Sequence, residues 1–172
     1  MAIRPILTAP DPRLKAVSRN VDKVDAEIRL LIDDMFDSMY EANGIGLAAI
    51  QIGVPVRVIV MDLAQKDARN DPRVYINPRI VQATEETIVF EEGCLSVPDI
   101  WDDVERPMHV KVEHLDRQGR LVTLDADGLL ATCLQHEMDH LEGVLFIDHL
   151  SKLKRSIALR KLAKAKRLNA VG

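Results

Sequence analysis

Two histidines and a glutamate in the segment His136-Glu137-Met138-Asp139-His140 have a spacing that suits a metal ion. Residues four apart lie on one face of an α-helix, so both imidazoles can bind one divalent ion. Glu137 directly follows the first histidine, where a carboxylate can take a proton from a water molecule beside the ion. The alternative is a surface helix that carries a histidine pair and binds no metal.

A third ligand must come from another part of the chain, because catalytic sites usually combine three protein ligands with one open position. Cys133 lies on the same predicted helix, but roughly 10.5 Å from His140 along the axis, which is too far for one ion. We therefore expect Cys133 to be a buried thiol near the site. Cys94, which follows Gly93, is the candidate for the third ligand. The alternative is that Cys94 is an ordinary free or buried thiol.

Residues 44–51 contain two glycines and two alanines and end in Gln51. Backbone with so little side-chain cover allows another extended chain to pair with its main-chain groups. The Gln51 amide offers both a donor and an acceptor. The alternative is a helix that ends at Asn43 and Gly44, followed by a tightly packed strand. A phosphate loop is disfavoured, since no Lys-Ser or Lys-Thr pair follows the glycines.

These three segments, in this order, resemble the bacterial peptide deformylases. That family is marked by the patterns G-φ-G-φ-A-A-x-Q, E-G-C-φ-S and Q-H-E-φ-D-H, where φ is apolar. Here they are residues 44–51, 92–96 and 135–140. The resemblance implies that Cys94, His136 and His140 bind the metal. The expected metal is Fe²⁺, with Ni²⁺, Co²⁺ or Zn²⁺ able to occupy the site.

The resemblance also implies a reaction, the removal of the formyl group from N-terminal formyl-methionine of nascent polypeptides with release of formate. Glu137 would be the acid and base, while the Gln51 amide and the backbone N–H of Leu95 would bind the oxyanion. The residues expected to contact the substrate are Ile45, Gly46, Phe90, Leu129 and Cys133. A further expected pair joins Arg106 to Glu92.

Two positions depart from the commonest family pattern. Ile50 precedes Gln51 where Thr, Pro or Val is frequent. Trp101 lies in a segment where some members carry an arginine near the substrate's downstream residues. Neither belongs to the expected metal set, and the second leaves open how the peptide beyond its first residue is held.

The predicted elements give an α+β fold, with short antiparallel or mixed strands around a central metal-binding helix and a helix at each end. Apolar residues at helical spacing predict the first helix over residues 25–42. Strands are predicted at 56–62, 74–77, 80–83, 87–90, 108–115 and 120–125. The stretches 64–73 and 99–107 are expected to be loops. His109 and His114 are expected to face solvent, and His149 has no evident partner.

Length and composition indicate one domain, and the resemblance implies that residues 1–150 are a single catalytic domain, followed by a basic helical tail over residues 151–172. The tail holds eight of the 23 Lys and Arg residues and no acid, which leaves a net charge of −12 on the remainder. With two cysteines, no expected signal peptide and no apolar run that could span a bilayer, we expect a cytoplasmic protein. Its partners would be the formyl-methionyl nascent peptide and, through the tail, the ribosome, with no membrane and no DNA.

Two other functions remain open at this point. A zinc endopeptidase shares H-E-x-x-H but normally takes a downstream Glu or His as its third ligand, and here only Glu142, Asp148 and His149 follow. A ribosome- or RNA-binding module would use the basic tail and keep the metal as a structural ion.

Overall fold

The structure, a computed structural model, describes residues 2–65 and 68–171 and contains three α-helices in its described part. The helices are α1 (Ala26–Glu41), α2 (Gly128–Leu141) and α3 (Lys152–Val171). The strands are β1 (Gly46–Ala48), β2 (Val58–Met61), β3 (Arg73–Ala83), β4 (Thr87–Cys94), β5 (Val97–Pro107), β6 (His109–Leu115) and β7 (Leu121–Asp127). Short 3₁₀ helices cover Pro12–Lys15, Ala49–Ile52 and Phe146–His149. This is the predicted α+β class.

Two antiparallel sheets surround α2. Five strands form one sheet in the order β1-β2-β3-β6-β7, and β4 pairs with β5 in a two-stranded ribbon. Helix α2 packs against β1 and β7 of the first sheet and against β5 of the ribbon. Strand β1 is an edge of the five-stranded sheet, so its second side is not paired within that sheet. The central helix therefore lies where both sheets can reach it.

Helix α1 begins and packs as its sequence predicts. The side chain of Asp25 accepts a hydrogen bond from the N–H of Ile28 at 3.0 Å, which satisfies one free donor of the first turn. Its apolar stripe, including Leu31, Ile32 and Met35, is buried with β1 and β2 in one core cluster. The helix anchors the sheet edge that precedes the Gln51 turn.

Helix α2 ends because the chain turns sharply at Gly143. This glycine has φ +74°, and a β-carbon there would collide with the backbone of Lys15. The N–H of Ser18 donates to the Leu141 carbonyl at 2.8 Å, so the N-terminal segment also caps the end of the helix. Both contacts fix the end of the helix that carries the histidines.

Three expectations about the strands were wrong. Residues 99–107 are not a loop but most of β5. Residues 74–77 and 80–83 are one strand, β3, with a register shift between Ile76 and Arg79 where Asn77 adopts φ +50°. His114 is only 7% exposed and packs edge-on against Tyr75, with ring centroids 4.7 Å apart.

Helix α3 confirms that the tail is helical, and its apolar residues are only partly buried. Ala158 and Leu162 are buried in a core cluster with Phe146, whereas Leu153 is 71% exposed and Ile157 43% exposed. Of the predicted loop 64–73, Lys66 and Asp67 lie outside the described residues, as does Gly172 of the tail. No helix in the described ranges has the length and apolar character needed to cross a membrane.

Candidate metal centre

The two histidines of α2 and Cys94 of β4 converge on one point. Their ligand atoms lie within 4.8 Å of one another, and Sγ of Cys94 is 3.4 Å from Nε2 of His140. The two imidazole rings are 5.2 Å apart, as expected for residues one helical turn apart. The structure therefore brings together the three residues that the sequence singled out. Cys133 is not part of this cluster.

Cys94 reaches the helix because β4 ends at this residue. Gly93, just before it, has no room for a side chain, since the ring of Trp101 lies against its α-carbon. On the other side, the Gln51 amide nitrogen lies 3.6 Å from Sγ of Cys94 and donates to the hydroxyl of Ser96 at 3.0 Å. The 3₁₀ turn at Ala49–Ile52 thus holds Gln51 beside the thiol.

The orientation of His136 is fixed by Glu92. Its Nδ1–H donates to Oε1 of Glu92 at 2.8 Å, which leaves Nε2 directed toward Cys94 and His140. A carboxylate behind a ligand histidine sets its tautomer and makes the imidazole a better ligand. Sequence reasoning anticipated Glu92 only as the partner of Arg106.

Arg106 holds Glu92 in place, as expected. Two guanidinium N–H groups donate to the Glu92 carboxylate at 2.7 and 2.9 Å, and a third donates to Asp139 at 2.8 Å. Asp139 also accepts a hydrogen bond from Nε2 of His149 at 2.8 Å. Burial alone would raise the pKa of Glu92, but its bonds with His136 and Arg106 hold that pKa below its usual value. A hydrogen-bond network therefore runs from His136 to His149, and of its bonds only the pair of Arg106 with Glu92 was expected.

Glu137 lies on the same helix but faces a different part of the site. Its Oε1 is 4.0 Å from Nε2 of His136, and its Oε2 has no hydrogen-bond partner among the described residues. Burial raises the pKa of Glu137 to about 7. A buried carboxylate with a free oxygen next to the histidines can exchange a proton with a reacting group near neutral pH.

The donor set fits a divalent cation. Burial, followed by the nearby His136, lowers the pKa of His140 to about 3, so its imidazole is neutral and able to bind a metal. Burial alone would lower the pKa of His136, but hydrogen bonds with Cys94 and Glu92 raise it well above its usual value. The Cys94 thiol and the Glu92 carboxylate therefore favour a positive charge at the position between them. One sulfur and two imidazole nitrogens are ligands that Zn²⁺, Fe²⁺ and Ni²⁺ accept.

A cavity of about 450 Å³ opens over these groups. The predicted substrate-contacting residues that line it are Ile45, Gly46, Phe90, Leu129 and Cys133. Gln51, Leu95, His136 and Glu137 line it as well. Burial raises the pKa of Cys133 to about 12. This thiol therefore stays protonated and lines the cavity without acting as a nucleophile.

Sequence reasoning missed one further residue of this cavity, Thr132. It is only 3% exposed, and its hydroxyl has no hydrogen-bond partner among the described residues. Thr132 lies one helical turn before His136, and that i,i+4 spacing is the signal that could have identified it.

Comparison with known proteins gives one consistent result. The sequence profile of a family described as Polypeptide deformylase matches residues 3–156. The chain is 61% identical over 164 residues to a peptide deformylase of Phenylobacterium zucineum, covering 95% of this chain and 97% of that one. It is 55% identical over 172 residues to a peptide deformylase of Mesorhizobium japonicum, covering 100% and 98%.

Solved structures agree with these sequence matches. The crystal structure of a peptide deformylase from Legionella pneumophila is 50% identical, with a TM-score of 0.90 and 98% of each chain covered. The peptide deformylase from Ehrlichia chaffeensis in complex with actinonin is 44% identical, with a TM-score of 0.92, covering 97% of this chain and 99% of that one.

Proposed function

This chain belongs to the polypeptide deformylase family, and we propose that its cavity removes the formyl group from the N-terminal formyl-methionine of nascent polypeptides. The products are formate and a peptide with a free α-amine. The observation that carries this proposal is the convergence of Cys94, His136 and His140 beside the unpaired carboxylate oxygen of Glu137. Metal ligands, an acid/base group and a peptide-sized cavity are then in one place.

In this proposal Cys94, His136 and His140 hold one divalent ion. When bound, the ion supplies Lewis-acid chemistry, which polarises the formyl carbonyl and makes a water molecule more acidic. Fe²⁺ is the ion we propose, with Ni²⁺, Co²⁺ or Zn²⁺ as substitutes. The mixed sulfur and nitrogen ligands, together with Glu92 behind His136, support a transition metal over Mg²⁺ or Ca²⁺.

Glu137 moves the proton. Its Oε2 takes a proton from the attacking water and passes it to the leaving α-amine, so that one carboxylate serves both steps. Gln51 stabilises the negative charge that develops on the formyl oxygen. One of its amide hydrogens is used by Ser96, and the other lies toward Cys94 at a long 3.6 Å, where the formyl oxygen would take it. The N–H of Leu95 is the second donor.

The methionine side chain enters the apolar part of the cavity, which Phe90, Leu129 and Cys133 line. Backbone groups of Ile45 and Gly46 pair with the peptide, as an added strand would beside β1. Strand β1 is an edge strand, so its free side is available for such pairing.

Among the residues that the structure describes, none downstream of His140 joins the metal cluster as the endopeptidase alternative requires. Glu142 pairs with Arg57 at 2.8 Å, Asp148 with Lys15 at 2.8 Å, and His149 with Asp139. Formate release from formyl-Met-Ala-Ser, compared with cleavage of an unformylated internal peptide, separates the two activities. We expect formate from the first peptide and no cleavage of the second. Cleavage of the internal peptide alone would refute the deformylase proposal.

We also propose that α3 docks on the ribosome, where the nascent substrate emerges in the cytoplasm. Lys154 and Arg155 form ion pairs with Asp102 and Asp148 of the body. The remaining basic residues of α3 are exposed and form no ion pair with any described residue: Lys152, Arg160, Lys161, Lys164, Lys166 and Arg167. Such a surface binds phosphates with a steep dependence on salt.

Charge substitution tests this docking without removing a helix that packs on the core. Changing Lys161, Lys164 and Arg167 to glutamine should weaken co-sedimentation with ribosomes at low salt. The matched control changes the exposed Arg19, Lys23 and Arg69, which removes equal charge elsewhere. Equal co-sedimentation of the two triple variants would rule out a specific role for α3.

A further inference from the structure

The hydrogen-bond network between His149 and the candidate metal ligand His136 passes through shared carboxylate oxygens. Oδ2 of Asp139 accepts from both Nε2 of His149 and Nη1 of Arg106, each at 2.8 Å. Oε1 of Glu92 accepts from Nη2 of Arg106 at 2.9 Å and from Nδ1 of His136 at 2.8 Å. Because each of these oxygens serves two donors, a shift of one donor changes the position that suits the other.

This network runs from solvent to the metal centre. The side chain of His149 is 38% exposed and that of Asp139 is 28% exposed, whereas those of Arg106, Glu92 and His136 are each 8% exposed or less. The buried groups depend on one another for their hydrogen bonds, since little water reaches them. His149 is therefore the outermost group that can hold this arrangement from the surface.

Asp139 is the group on which His149 acts. Burial alone would raise the pKa of Asp139, but its hydrogen bonds with His149 and Arg106 hold that pKa below its usual value. Asp139 is thus an ionised carboxylate, which can accept from both donors at once. Without His149, this partly exposed carboxylate could turn toward water. The guanidinium of Arg106 would then lose the fixed partner of its Nη1 group.

The turn that carries His149 also contacts His136 directly. The ring of Phe146 stacks on the His136 imidazole, with ring centroids 6.0 Å apart and an angle of 25° between the planes. Phe146 and His149 are the first and last residues of one 3₁₀ helix. Asp148 links this helix to the N-terminal segment through an ion pair with Lys15 at 2.8 Å. One short, anchored element therefore reaches His136 both by stacking and through the hydrogen-bond network.

His149 lies away from the proposed peptide site. The described residues that line the cavity over the metal centre include Glu92 and His136 but not Arg106, Asp139 or His149. Those three residues line a separate cavity of about 420 Å³. An effect of His149 on the reaction must therefore pass through the hydrogen bonds, because this side chain does not line the substrate cavity.

We propose that His149 is a positioning residue for the metal site: its bond to Asp139 fixes Arg106, and Arg106 in turn fixes the Glu92 carboxylate that orients His136. This proposal rests on the metal-dependent function proposed above. It makes a surface residue a determinant of metal affinity and turnover, although an exposed pair of this kind contributes little to folding.

The test compares His149→Ala with His149→Gln and with the matched control His109→Ala. Glutamine can supply an N–H donor close to the position of Nε2 of His149. His109 makes the same kind of exposed bond outside the network, from Nε2 to Oδ1 of Asp125 at 3.3 Å. Each protein is loaded with Co²⁺, and titration with a competing chelator measures the dissociation constant.

We expect a moderate loss of affinity in His149→Ala. Removing the direct partner of a ligand histidine typically weakens metal binding about 10- to 100-fold, and two groups separate His149 from that partner. His149→Ala should therefore weaken Co²⁺ binding about three- to tenfold. The affinity of His149→Gln should be close to that of the unchanged protein, and the affinity of His109→Ala should equal it.

Three further readouts separate positioning from stability. The visible absorption of bound Co²⁺ reports the geometry of its ligands, and it should change in His149→Ala but not in His109→Ala. With formyl-Met-Ala-Ser as substrate, kcat should fall while KM changes little, because His149 does not line the substrate cavity. In a Glu92→Gln background, His149→Ala should weaken Co²⁺ binding less than it does alone, since both changes act on the same bond to His136.

Co²⁺ affinity and absorption in His149→Ala that match those of His109→Ala would overturn the proposal. Full additivity in the Glu92→Gln background, or failure of glutamine to restore the affinity, would overturn it as well. A higher KM with unchanged kcat would also do so, because it would indicate contact with the peptide. Absence of formate from every variant and from the unchanged protein would refute the deformylase function, whereas the Co²⁺ measurements would still decide the role of His149.

Discussion

Gly46 and Glu137 are in direct contact. A β-carbon added to Gly46 would lie 2.7 Å from Oε1 of the Glu137 carboxylate. Strand β1 can pass this close to the buried acid only because residue 46 has no side chain. Strand β1, which is proposed to hold the peptide, thus packs against Glu137, which is proposed to move the proton.

Gly46→Ala should therefore reduce kcat much more than it reduces metal content. The added methyl group must displace the carboxylate or the strand, and a misplacement of about 1 Å can lower a rate about 100-fold. Formate release and metal analysis on the same sample check this prediction. Nearly normal kcat in Gly46→Ala would show that Glu137 tolerates displacement and is not a positioned acid or base.

Glu92→Gln should weaken metal binding about 10- to 100-fold, because a neutral amide is a poorer acceptor for the N–H of His136. Titration with a competing chelator measures the affinity. Activity restored at high metal concentration would support a role in ligand orientation. An unchanged affinity would show that the bond from His136 to Glu92 does not tune the site.

Arg106→Met should destabilise the protein by about 3–5 kcal/mol, since it leaves the buried Glu92 and the half-buried Asp139 without their cation. Chemical denaturation of the metal-loaded protein measures the loss. The matched control is Arg79→Met, which breaks the exposed pair with Glu113 and should change stability by about 1 kcal/mol or less. Equal effects of the two substitutions would contradict the buried network.

Asp148 predicts a dependence of stability on pH. Burial alone would raise its pKa, but the ion pair with Lys15 and the N–H of Leu145 lower it. A carboxyl group whose pKa is lowered in the folded state stabilises the protein at pH values above its unfolded-state pKa, which is about 3.9. This stabilisation is lost as the pH falls through the folded-state pKa. Asp148→Asn should cost about 1–2 kcal/mol at pH 7 and progressively less toward pH 3. If the stability difference between Asp148→Asn and the unchanged protein were the same at pH 7 and pH 3, the prediction would be wrong.

The iron-loaded protein should lose activity in air faster than the nickel-loaded protein. Cys94 is partly exposed at the cavity, and a thiolate beside a redox-active metal is open to oxidation. Residual formate release after timed exposure to air measures the decay, with anaerobic samples as the control. Equal decay of the two forms would argue against Fe²⁺ as the working metal.

Local patterns predicted the helices and the cluster of candidate ligands, because helical spacing and short motifs depend only on residues that are close in sequence. Strand β5 was missed for a physical reason. It belongs to a two-stranded ribbon with much of its surface in solvent, so acidic residues such as Asp102 and Asp103 do not interrupt it. Its pairing with β4 is visible only in three dimensions.

The contacts of His114 and His149 could not be predicted for a related reason. His114 meets Tyr75 only because β3 pairs with β6 across an intervening ribbon. His149 reaches Asp139 because the chain folds back after α2. Such contacts depend on tertiary packing, and no spacing within one element encodes them.

The most direct test of the metal site measures bound metal and formate release together on single variants. Cys94→Ser and His140→Ala should lose both the ion and activity. Glu137→Gln should keep the ion and lose activity, because the carboxylate is proposed to move a proton and not to bind the metal. Cys133→Ser should keep the ion. Loss of the metal in Cys133→Ser together with its retention in Cys94→Ser would contradict the site described by this structure.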